Sequence, residues 1–225
     1  DEAYFYDLKD NFADVDIVFN DSLRYTATLD SGDALPAWLD LQIDTGVLSG
    51  TPTNDDVGAI DVKVTATDKM NASVSDTYTL TVANTNDTPT VSAIANAVTN
   101  EDTSYSFNAP SSFSDADGDT LSYSATLSSG SALPAWLSIN TTTGVLSGTP
   151  THDDVGPIDV KVTATDGDSA SVSDTYTLSI YNTNDPPTVS AIANASTNED
   201  EAYFYDLKDN FADVDIDSGD SLRYT

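Results

Sequence analysis

The chain has 225 residues, with 38 Asp and Glu against 7 Lys and Arg, for a formal net charge of -31. A surface that negative repels nucleic-acid phosphates and anionic lipid heads, so nucleic acid is excluded as a partner and cations are favoured. There is no cysteine, hence no disulfide or thiolate metal site to stiffen the chain, and no apolar run approaches the roughly 18 residues that span a bilayer, so no membrane insertion is expected.

Glu2, Glu101, Glu199 and Glu201 are the only glutamates; the remaining acids are Asp, which prefers turns and loops to helices. Thr, Ser, Val and Tyr are plentiful and good helix formers scarce, which favours strands throughout. The chain opens on Asp1-Glu2-Ala3-Tyr4 in place of a basic and then apolar leader, so any signal or anchor is expected outside it.

In chain order, the first feature is a repeat unit that recurs. Ala27 to Asp87 returns as Ala125 to Asp185, sharing ALPAWL, TGVLSGTPT, DVKVTATD, SVSDTYTL and NTND. The linker TPTVSAIANAVTNED at 88 returns as PPTVSAIANASTNED at 186, and Asp200 to Thr225 repeats Asp1 to Thr26 except where Val18, Phe19 and Asn20 become Asp217, Ser218 and Gly219. The expected domains are residues 1–87, a repeat lacking its first strand; 88–185, a complete repeat; and 186–225, the N-terminal part of a third. The ends read as a window on a longer array, or as complementary halves that join head to tail by donating a strand.

Within the complete copy, runs that alternate apolar and polar residues predict strands at Val91–Ile94, Ser104–Phe107, Leu121–Leu127, Trp136–Ile139, Gly144–Ser147, Val160–Thr165 and Tyr176–Tyr181. That spacing is typical of a sandwich, giving an all-β fold of seven-stranded Greek-key β-sandwiches in tandem. Thr143-Gly144 supplies the hairpin's positive φ. Trp136 is expected to fill the core between the sheets. Alternation turns Phe5 and Phe204 outward, a pattern that would also suit stacking on sugars.

The acids fall at both ends of the repeat. In DADGD at 115–119, alternate carboxylates in a Gly-containing turn can converge on one hard cation, and calcium takes 6 to 8 such oxygens at flexible geometry. The loop is not an EF-hand: in ADVDIDSGDSLRY the Gly falls at 219 and Tyr224 stands where the bidentate Glu belongs. The first copy, with Val18 in place of Asp217, should have the weakest such loop. The bland alternative is a set of solvated Asx turns.

LPAWL-x(6)-TGVLSGTP at 133–150, VTATDGDSASVSDTYTLSI at 162–180 and NTNDPP at 182–187 together resemble bacterial cadherin-like modules of the dystroglycan type, an Ig-like class found as tandem repeats in surface adhesins and filaments. The resemblance implies a rod of such domains with calcium at each linker. It places Asn86, Asp87, Asp115, Asp117 and Asp166 at the first junction, and Glu101, Asp154, Asn184, Asp185, Asp213, Asp215 and Asp217 at the second. Two departures stand out: Asn84 and Asn182 begin linkers that open with Asp in cadherins, and THDDVG around Asp154 differs from the cadherin LDRE motif.

The implied function is structural or adhesive: a calcium-stiffened extracellular stalk, filament or adhesin segment, with further copies of the same repeat as partners. The alternative is a carbohydrate-binding module of a secreted polysaccharide-degrading system, with polysaccharide as partner. No catalysis is expected, because a duplicated unit argues against a single cleft. The one histidine, His152, is replaced by Asn54 in the first copy, and reads as an exposed loop residue.

Overall fold

The computed structural model describes residues 2–15 and 22–223, apart from the side chains of 217 and 218, and divides the chain into two compact units, Asp1–Asp87 and Thr88–Thr225.

In the first unit, β1 (Tyr4–Asp7), β2 (Arg24–Leu29), β3 (Leu39–Gln42), β4 (Val47–Gly50), β5 (Gly58–Thr67) and β6 (Ser73–Val82) form two sheets, ordered β1-β4-β3 and β2-β5-β6. The period-two pattern explains the layers. Along β5, Val62, Val64 and Ala66 are buried while Asp61 and Lys63 face water. They meet Leu39 and Leu48 from the other sheet, with Tyr25 and Leu80, in one core.

The second unit contributes β7 (Thr90–Val91), β8 (Ala97–Asn100), β9 (Tyr105–Asn108), β10 (Phe113–Ser114), β11 (Ser122–Leu127), β12 (Leu137–Ile139), β13 (Val145–Gly148), β14 (Gly156–Thr165) and β15 (Ser171–Tyr181). One sheet runs β11-β14-β15-β8; β12-β13-β9 faces it, with β7 and β10 paired beside it. Val160, Val162, Ala164, Leu178 and Ile180 pack against Tyr105, Leu137 and Leu146. The expectation of an all-β sandwich holds.

The strand reading misses β8 and β10, and places the first strand too long. Strand pairing in the opening segment stops after Val91, and the chain then crosses to the other sheet. There β8 pairs in parallel with β15, Ala97 opposite Leu178 and Asn100 opposite Tyr181. Between them Ile94 is buried and its N–H donates to Asp174 Oδ2 at 2.8 Å. The crossover is what delivers Glu101 to the end of β8.

Trp136 is half-buried, packed against the core and edge-on to Tyr105 with ring centroids 6.5 Å apart. A Cβ on Gly148 would run into the Trp136 carbonyl oxygen, and one on Gly50 into that of Trp38, so the Gly in each SGTP motif is required by backbone proximity. Gly144 has φ of 64° at the turn from β12 to β13, as its hairpin role demands.

Later in this unit, β16 (Thr188–Val189) pairs with β17 (Phe211–Ala212), Thr188 opposite Ala212. The register repeats that of β7 with β10, where Thr90 stands opposite Ser114. A 3-10 turn at Val214–Ser218 follows, closed by Gly219 at φ 103°.

Candidate metal centre

Glu101 is carried in the turn after β8, where its N–H donates to Tyr181 O at 3.0 Å and the next N–H, of Asp102, to Pro150 O at 2.8 Å. These bonds sink the side chain to 1% exposure. Its Oε1 accepts Thr183 N–H at 2.6 Å, while Oε2 is buried with no hydrogen-bond partner.

Asp215 arrives from the third copy. Asp213 caps the 3-10 turn, its Oδ1 accepting Asp215 N–H at 2.9 Å, and this aims Asp215 inward at 2% exposure. Asp215 Oδ2 accepts the Asp185 N–H in a short hydrogen bond, and Oδ1 is left without a partner. Asn184 stays in its own turn, Nδ2 donating to Asp185 O at 3.1 Å.

His152 is the first residue of the 3-10 turn His152–Asp154, which a capping box between Thr151 and Asp154 closes. This corrects its reading as an exposed loop residue. Its side chain is 26% exposed, and Nδ1 lies 3.4 Å from Glu101 Oε2 and 3.5 Å from Asp215 Oδ1, buried and unpartnered. Ligand atoms of Glu101, His152, Asp185 and Asp215 lie within 4.8 Å of one another. Asp154 instead caps its own turn, where Oδ2 accepts both Thr151 N–H and Oγ1–H at 2.9 Å. Asp217 lies outside the described side chains.

A second group forms in DADGD. Carboxylate oxygens of Asp115, Asp117 and Asp119 lie within 4.8 Å of one another. Asp115 Oδ1 accepts from Asp117 N–H at 2.9 Å and Asp119 N–H at 3.4 Å, an Asx turn, while Oδ2 is buried and unpartnered. Asp166 borders this group, its Oδ1 closing the β14–β15 hairpin by accepting from Asp168 and Ala170 at 3.0 and 2.8 Å. In Asp115 the Asx turn thus uses Oδ1 and leaves Oδ2 for a cation.

Crowding shows in the acids. Partial desolvation, and then repulsion from Asp115, Asp117, Asp166 and Asp168, holds the Asp119 carboxyl above its ordinary range. Desolvation likewise raises Asp185, with Asp102, Asp215 and Glu101 adding to it and His152 opposing.

Asn86 and Asp87 belong to the first unit. Asp87 Oδ2 accepts Asn54 Nδ2–H at 2.8 Å, and Asn86 Nδ2 donates to Asp87 O at 3.2 Å. Asn54 and Asp87 correspond to His152 and Asp185. The loop holding Val18 lies outside the described residues.

Sequence reasoning found the DADGD turn, Asp119 included, but missed His152, for which no local signal existed, because only the fold brings THDDVG to Glu101.

A family model described as Putative Ig domain matches residues 1–83 and 88–181. No curated protein matches the chain. Among solved structures the chain is similar to human CDH23 EC21-23, at 17% identity and a TM-score of 0.54 over 79% of this chain and 64% of that one. It is similar to mouse Cadherin-23 EC22-24, at 19% identity and 0.50 over 75% of this chain and 57% of that one. An endo-fucoidan hydrolase, MfFcnA4 from glycoside hydrolase family 107, shows 23% identity over 73% of this chain and 24% of its own, with a TM-score of 0.36. The chain therefore spans less than two thirds of the length of each of these structures.

Proposed function

The chain belongs to the Putative Ig domain family, and from that premise we propose that it is an extracellular structural or adhesive repeat whose sandwiches are stiffened by calcium. The observation that carries this reading is the buried, unpartnered oxygen on each of Glu101, Asp215 and Asp115. A buried anion without a partner is strongly destabilising, and one hard cation at each group would satisfy them together.

The residues fit such an ion. Each group offers several carboxylates already oriented by backbone N–H groups, as in Glu101 by Thr183 and Asp115 by Asp117. Calcium would supply the positive charge that lets these carboxylates share one space. Glu101 and Asp185 from one repeat with Asp215 from the next would then be tied through it, a staple between successive copies. Equilibrium calcium binding to the metal-stripped chain tests this. Two or more ions bound at about 10⁻⁴ to 10⁻³ M, the range of extracellular modules, is expected; no binding at millimolar calcium would defeat it.

Further copies of the repeat are the proposed partners. In the first unit a groove of about 300 Å³, lined by Trp38, Leu80 and Val82, borders the part of β6 that corresponds to the stretch of β15 paired with β8. A strand from a preceding segment or another copy would fill it. The polysaccharide alternative draws on Phe5 and Phe204, 68% and 86% exposed, but the complete copy at 88–185 has Ser106 at that place. No catalytic role is proposed for the chain: its one histidine is committed to the acidic group.

A further inference from the structure

The two acidic groups differ in one atom type. Asp115, Asp117 and Asp119 offer oxygen alone, whereas the group at Glu101 includes an imidazole nitrogen. We propose that Glu101, His152, Asp185 and Asp215 form a mixed nitrogen–oxygen site that selects a first-row transition ion such as Zn²⁺ or Mn²⁺ over calcium. The proposal rests on the reading above only in taking this group to hold a divalent cation.

Three buried atoms here have no hydrogen-bond partner: Glu101 Oε2, Asp215 Oδ1 and His152 Nδ1. The nitrogen stands 3.4 and 3.5 Å from the two oxygens. Neighbouring ligands of a tetrahedral ion bound at about 2.0 Å lie roughly 3.3 Å apart, so these separations suit atoms of one coordination shell. Each carboxylate is also pinned from behind, Glu101 Oε1 by Thr183 N–H and Asp215 Oδ2 by Asp185 N–H, which leaves the unpartnered oxygen as the one presented to the ion.

Nitrogen decides the preference. Calcium is a hard ion that takes oxygen, and gains little from imidazole, whereas zinc and other first-row ions bind it well. The first unit supplies an internal contrast, with Asn54 at the corresponding place, its amide turned to Asp87. His152→Asn therefore installs a side chain that this turn already carries in the other copy.

The test is calorimetric titration of the intact, metal-stripped chain with Zn²⁺ in saturating calcium, alongside H152N. One zinc per chain is expected at this site, bound at least about tenfold more tightly by the unsubstituted chain than by H152N, with calcium binding at Asp115–Asp119 alike in both. Unchanged zinc affinity in H152N, or no zinc binding in calcium, would overturn the proposal. Bound Mn²⁺ gives a readout independent of affinity: its spin-echo spectrum should show imidazole nitrogen in the unsubstituted chain, and an absent nitrogen signal there would overturn it too. If neither protein binds calcium while zinc affinity still depends on His152, the calcium reading fails and the selectivity stands.

Discussion

His152 Nδ1 stands 3.4 Å from Glu101 Oε2, and neither atom has a hydrogen-bond partner. Residues from the β13–β14 turn and the end of β8 thus meet at atoms to which no described residue makes a hydrogen bond. A cation is the simplest group that would satisfy them, and the sign of a substitution at Glu101 should depend on whether one is bound.

Glu101→Gln keeps an Oε1 acceptor for Thr183 N–H and replaces the unpartnered oxygen by an amide. In chelator the variant should be as stable as the unsubstituted chain, or more stable by about 1 to 3 kcal/mol, since a buried uncompensated anion is removed. In millimolar calcium the order should reverse. Urea denaturation in both buffers checks it; a loss of stability in chelator would mean that Oε2 has a partner already.

Gly148→Ala should destabilise the second unit by more than about 3 kcal/mol, because its Cβ meets the backbone oxygen of Trp136, which cannot swing aside. Gly118→Ala, at φ 74° with open space around it, should cost only about 1 kcal/mol of backbone strain. Thermal melts of the two variants separate close approach from turn conformation.

The core of each sandwich was legible in the sequence, because period-two strands such as Val160-Lys161-Val162 declare their buried face without help. The split opening strand was not. β8 consists of Ala97–Asn100, only half apolar, and is held by its parallel pairing with β15, a long-range contact that no local pattern records. The candidate site divides the same way. Asp115 and Asp117 sit in one turn and could be read directly, whereas His152 joins Glu101 only through the sandwich, and Asp154 serves its own turn through Thr151.

Alkaline pH should unfold the second unit through a tyrosine pair. Tyr105 and Tyr176 hydroxyls lie 3.2 Å apart in the core, and burial raises both above the ordinary value of 10.0. With the folded pKa raised, their contribution is complete below pH 10.0 and is lost as pH rises beyond it, where only the unfolded chain ionises. Tyr176→Phe should flatten the fall of stability above that pH, measured by chemical denaturation; an unchanged slope would place the effect elsewhere.

A peptide of residues 188–198, the segment matching β7, β8 and the stretch between them, should raise the melting temperature of the first unit if the groove beside β6 accepts a strand. The 300 Å³ groove is lined by Trp38, so Trp38 fluorescence in a Trp136→Phe background reports the binding. A peptide of the same composition in scrambled order should do nothing; equal effects from both would rule out strand complementation.

Calcium at the acidic groups is tested most directly by calorimetric melting of the intact chain in excess chelator and in millimolar calcium, for the unsubstituted chain and for Glu101→Gln with Asp115→Asn. Only the folded chain gathers these ligands, so calcium should raise the unsubstituted melting temperature by several degrees, and the shift should vanish in the double variant. The same melting temperature in chelator and in calcium would contradict a calcium-stiffened repeat.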